Sequence, residues 1–362
     1  MIDFRYHLVS LIAVFLALAL GILLGAGPLN QPLGDQLTGQ VEELREDRDR
    51  LRTELEVSEA ETENRDQFID EVAPATLGSR LEGRAVAVVV LPGANEDDVA
   101  DVRLRLEQAG AVVTGQVQVT EAWTDPDTAT FRSSFAGQIL GYLEPVPDDG
   151  ADAGVILGTA LGQALTRGDA EGGLSADADT LLELLVSADD PLVEVVEAPE
   201  QSANATAVVA PRSEDVGPAE ETEPADVETR EQRLREEIAL ARGLAATGEA
   251  TVVAGSVATE LDLVSAIRAD ATAAEAVTTT DSVSEITGRL NVPMALAAAI
   301  SGEGGHYGVG AEATAPVPPA VYLPPPAPPE PEPADSAPAG GEPGDGEPTD
   351  GEPADDESAD AA

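Results

Sequence analysis

The sequence predicts a mixed α/β protein with a single N-terminal transmembrane helix, a coiled coil, a layered α/β domain with a mostly parallel sheet, and a disordered C-terminal tail. Three observations predict it. Residues 8–27 are apolar and uncharged, residues 36–72 carry a heptad repeat, and residues 80–312 alternate short apolar runs with helical stretches. The segments that follow are 1–7 (cytoplasmic N-terminus), 8–27 (anchor), 36–72 (coiled coil), 80–312 (extracytoplasmic α/β domain) and 313–362 (Pro/Gly/acidic tail).

The 8–27 run, as a helix, rises roughly 30 Å, the thickness of a bilayer's hydrocarbon core. A cleaved secretory signal is the competing reading. Against it stand the length of the run, a basic flank reduced to Arg5 beside Asp3, and Pro28 directly after the small residues Gly25, Ala26 and Gly27. Arg5 precedes the run and no basic residue follows it until Arg45. The positive-inside rule then leaves the N-terminus in the cytoplasm and Pro28 onward outside. Ala13, Ala17, Gly21 and Gly25 recur every fourth residue. Such a stripe permits close helix approach, and equally fits the ordinary small-residue content of membrane helices.

Over 37–72 the seam places Leu37, Leu44 and Leu51 at d, and Val41, Arg48 and Leu55 at a. The alternating spacing of three and four is that of a two-stranded coiled coil, and Arg48 at a restricts register at a cost in stability. The seam weakens at Ser58, Thr62 and Arg65. The sequence predicts a homodimer through Leu37, Val41, Leu44, Arg48, Leu51 and Leu55. The alternative is a long helix folded back on its own α/β domain.

In the α/β segment, 85–91 is a continuous apolar run suited to a strand buried on both faces. Asn95 caps a predicted helix over 96–109, Gly110 stops it, and 111–119 reads as a second strand. This βαβ unit makes the two strands parallel. Further helices are predicted over 180–187, 230–246 and 284–300, and strands over 192–196, 205–210, 250–254 and 278–281. The acidic stretch 213–228 reads as a surface loop.

Composition bounds the function. The 362 residues carry 69 acids and 19 bases, for a net charge of -50, and every base is arginine. From Ala311 onward there are 13 acids and no base, leaving 56 acids against 19 bases before it. A field of that sign repels nucleic acid, so none is expected as a partner. With no cysteine there is neither disulfide nor thiolate site. The first strand-to-helix turn, residues 91–95, lacks G-x-G-x-x-G, and a chain without lysine has no P-loop. No catalytic constellation assembles from the two histidines, so no enzyme and no cofactor is predicted. The one candidate metal site lies in the glycine-rich 302–310, where Glu303 and His306 are the candidate ligands beside Tyr307. The competing reading is a structural end-loop with Tyr307 packed inward and His306 satisfying a backbone hydrogen bond. The tail repeats Gly-Glu-Pro every five residues from Gly341 and cannot bury a core.

Two motifs carry a resemblance. The N-terminal run beginning Ile2-Asp3-Phe4-Arg5-Tyr6-His7-Leu8 and leading into a coiled coil is one, and Gly305-His306-Tyr307-Gly308 is the other. Together with the βαβ body between them, they resemble the actinobacterial copper transporter MctB family from residue 1 to about 310. The resemblance implies an envelope protein tied to copper efflux and copper homeostasis, with weak copper binding and, for some members, an outer-envelope location. It also implies an alternative: a dimeric scaffold controlling cell separation through an envelope or cell-division partner protein and peptidoglycan hydrolases. Copper(I) selects soft ligands. Beyond the anchor the chain offers Met294 and His306, and Met294 sits in an apolar run that reads as core.

Overall fold

A computed structural model describes residues 4–25, 31–148, 150–188, 190–213 and 224–324, with 31–38 and 224–226 described by backbone alone. The chain divides into two units, residues 1–78 and 79–362.

The first unit holds two helices. Helix α1 (Phe4–Gly25) contains an 18-residue stretch with a mean hydropathy of 2.8 and is long and apolar enough to cross a membrane. It begins four residues before the predicted run; positions 26 and 27 lie outside the described residues. Helix α2 (Gln31–Leu77) spans 47 residues, so it rises roughly 70 Å. It outruns the predicted 36–72 at both ends and passes through Pro74. Arg50 reaches Asp47 at 3.0 Å and Arg52 reaches Glu56 at 3.3 Å, the one-turn pairs that keep a polar helix intact.

The second unit is a three-layer α/β domain around a seven-stranded sheet ordered β3-β2-β1-β4-β5-β6-β7. Its strands are β1 (Ala85–Val90), β2 (Val112–Val119), β3 (Val193–Glu197), β4 (Ala205–Val209), β5 (Ala250–Ala254), β6 (Thr278–Thr280) and β7 (His306–Tyr307). Every pairing is parallel except β2 with β3. The predicted βαβ unit is present: Asn95 Oδ1 accepts from Asp97 N at 2.9 Å and starts α3 (Glu96–Gln108).

Alternation along the strands sends Ala87, Val89, Val117 and Val119 into the main core. There they meet α4 (Ala129–Ile139), α5 (Ala153–Thr166), α6 (Ala176–Val186), α7 (Pro224–Ala245) and α8 (Leu263–Ala269). Short α9 (Ala271–Ala276) follows α8. Helices α3 and α10 (Ile286–Ile300) cover the other face, over β1, β2, β4, β5 and β6. Helix α7 begins at Pro224, inside the stretch predicted as a loop; of that loop, 214–223 lies outside the described residues.

Helices α5 and α7 pack through glycine. Gly154, Gly158 and Gly162 recur on α5, and a Cβ on Gly243 of α7 would fall 2.5 Å from both Thr159 N and Val155 O. Those obstacles are backbone and cannot swing away. Gly243→Ala is expected to push the helices apart and cost about 1–3 kcal/mol, read as a lowered Tm.

Ordered structure passes the predicted tail boundary at 312. Thr314 N donates to the His306 carbonyl at 2.6 Å, and Asn291 Nδ2 donates to the Pro316 carbonyl at 2.9 Å. The Arg80 guanidinium lies 5.1 Å from the Tyr322 ring centre, and Arg84 Nη2 donates to the Pro324 carbonyl at 3.1 Å. Proline-rich backbone has few donors but free carbonyls, so arginines and an asparagine hold this segment by its oxygens. The predicted disorder from 325 on lies outside the described residues.

Candidate functional site

The glycine-rich segment predicted as a metal site lies at the β7 edge of the sheet. Its anchor is Asp281, which follows β6 and is fully buried. Arg268 of α8 donates from Nη1 to Asp281 Oδ2 at 2.9 Å, from Nε to Thr279 Oγ1 at 3.1 Å and from Nη2 to the Tyr307 carbonyl at 3.0 Å. The backbone amides of Val309 and Gly310 donate to the same carboxylate at 2.9 and 3.1 Å, and Ser282 Oγ at 2.9 Å. A buried carboxylate costs several kcal/mol unless it is paired and hydrogen-bonded, and this one is both.

The glycines follow from that. A Cβ on Gly308, whose φ is +134°, would overlap the Asp281 carboxylate, and one on Gly310 would overlap Val257. Only a residue without a side chain lets the loop close over Asp281. Tyr307 is buried and its hydroxyl donates to the Glu303 carbonyl at 2.7 Å. Burial, and then the Glu303 charge, push that phenol above its ordinary value.

The two candidate ligands sit differently. Half-buried His306 has Nδ1 3.0 Å from Thr279 Oγ1. Burial, and then the Arg268 charge, lower its pKa below the ordinary 6.5. Glu303 is exposed, and its described hydrogen bonds run through its backbone. Among the described residues, no three of His, Cys, Asp and Glu gather to hold a metal ion.

Because folded His306 resists the proton that its unfolded counterpart takes up, stability is unaffected above 6.5 and falls as pH drops through the lowered folded value. Between about pH 7.5 and about pH 5.5 the wild type is expected to lose more Tm than His306→Gln. Equal losses would remove His306 from the account.

A second network closes the crevice at the carboxyl ends of β1 and β4, where the chain's crossovers diverge and open α/β sheets bind ligands. Fully buried Asp98 takes two bonds from Arg212, at 2.7 and 2.8 Å, and a third from Arg289 at 3.1 Å. Arg289 also reaches Asp101 at 3.1 Å. Sequence reasoning passed over Asp98, Asp281 and Arg268. The available signal was an acid just after a strand or inside the first turn of a helix, which a polar surface also produces.

Of the predicted dimer residues, Val41, Leu44, Leu51 and Leu55 are 46–68% exposed along α2. Arg48 Nε donates to the neighbouring Asp49 at 3.0 Å. The Leu37 side chain lies outside the described set.

An apolar N-terminal helix long enough to cross a membrane, joined in sequence to an α/β unit, fits a membrane-associated protein. The chain belongs to the MctB family: the profile described as "Copper transport outer membrane protein, MctB" matches residues 1–318. Copper transporter MctB of Mycobacterium tuberculosis (strain ATCC 25618 / H37Rv) is 32% identical over 323 residues, 86% of this chain and 97% of that protein. Copper transporter MctB of Mycobacterium bovis (strain ATCC BAA-935 / AF2122/97) aligns to the same extent. That of Mycobacterium leprae (strain TN) is 32% identical over 166 residues, 44% of this chain and 52% of that protein.

Proposed function

We propose that this chain serves copper transport and homeostasis at the cell envelope, as one component of an assembly. The observation that carries the reading is the length of the family match, which runs from the apolar helix through the Asp281 loop to residue 318. Helix α1 anchors the chain in the bilayer with its N-terminus in the cytoplasm, as Arg5 and the absence of bases before Arg45 favour. Helix α2 pairs with a second copy through its exposed apolar stripe, and the α/β domain acts outside the membrane.

Copper is cargo in this reading, and the chain's own donors are few. Met294 is 7% exposed within α10, where it packs as core. His306, with Glu303 nearby in sequence, offers at most weak copper binding. A single helix encloses no pore, so passage falls to several copies or to an envelope partner protein. A strain lacking the gene is expected to be copper-sensitive on plates and to regain tolerance when the gene is restored. Unchanged tolerance would contradict the reading.

A further inference from the structure

We propose that the free edge of β3 and the groove beside it dock an extended, basic segment of another protein by strand addition. Among the described residues, strand β3 ends the sheet, bonded to β2 on one side, and four of its five residues are exposed. Between this edge and α3 lies an open groove of about 700 Å³. Gln116, Gln118 and Val196 floor it, and Val99, Ala100 and Leu104 wall it. Leu104 is 41% and Val196 60% exposed, large apolar side chains left in water beside unpaired strand backbone. That pairing of features fits an incoming strand, whose backbone meets the edge and whose alternate side chains enter the groove.

Charge selects the occupant. Glu96 and Glu107 line the groove, and Glu194 and Glu197 stand on β3. The cation among the lining residues, Arg103, is committed to Glu197 at 2.6 Å and Gln116 at 2.9 Å. An arriving segment therefore meets the apolar side chains of Val99, Leu104 and Val196 inside a negative rim, and one alternating apolar and basic residues matches both. The chain's own residues 325–362 do not match, being acidic and rich in proline, which cannot donate to a ladder. A second copy pairing edge to edge would bring Glu194 and Glu197 of both strands to one seam, a like-charge arrangement that destabilises sheets.

The test uses the full chain in lipid nanodiscs and a labelled Lys-Val-Lys-Val-Lys-Val-Lys peptide, read by fluorescence anisotropy. Binding is expected for this peptide and not for its Glu-Val counterpart. Methylating alternate amides on one edge of the peptide should weaken binding about tenfold, through the lost ladder donors. Leu104→Glu with Val196→Glu should also weaken it about tenfold, although it adds negative charge. Both positions are exposed, and Val196→Ser, a milder change, should weaken binding in the same direction. No binding of the basic peptide would overturn the proposal. So would undiminished binding by the double variant, which marks general attraction to an acidic surface. Self-association lost in the double variant would also overturn it, by making a second copy the occupant.

Discussion

Replacing Asp281 with alanine is expected to destabilise the α/β domain by about 3–5 kcal/mol. Arg268, whose side chain is 1% exposed, would be left as an uncompensated buried charge. The amides of Val309 and Gly310 would lose their acceptor at the same moment. Urea unfolding monitored by Trp123, buried in the same domain, reads the loss. The paired change Asp281→Leu with Arg268→Met should cost less than Asp281→Ala alone, because it removes both charges. If the single variant unfolds like wild type, the ion pair does not hold the glycine loop.

The second large effect is expected in α2. Changing Leu44 and Leu51 to aspartate should convert detergent-solubilised dimer to monomer in sedimentation velocity. Each buried leucine contributes about 2–5 kcal/mol to a packed seam, and the aspartates would add desolvation and repulsion. Both leucines are exposed on the single chain, at 68% and 59%, so the substitutions should leave the helix itself standing. A wild-type chain that sediments as a monomer would remove the dimer.

Much of this architecture was legible in the sequence because its signals are local. Continuous apolar runs marked β1 and β5, the latter at its observed bounds, and Asn95 and Gly110 bracketed α3. Helix α5 escaped notice because Gly154, Gly158 and Gly162 count against a helix by propensity, whereas here they make room for α7. The heptad located α2 but not its ends, because the helix runs on through Pro74 to Leu77 after the apolar repeat stops. Strand β7 has two residues and follows from the bonds to Asp281 and Arg268, which no periodic pattern encodes. The same reason hid the purpose of Gly308 and Gly310. Their glycine-rich spacing stood out, but the carboxylate they close over lies far upstream, and only folding brings it there.

On the proposed function, copper balance depends on this chain while it is fixed to the membrane. Cell-associated copper is then measured by mass spectrometry in a deletion strain carrying either the full chain or one exported without residues 1–27. Restoration of wild-type copper by the full chain and not by the unanchored one is the result expected. Equal restoration by both, or copper content unaffected by the deletion, would contradict it.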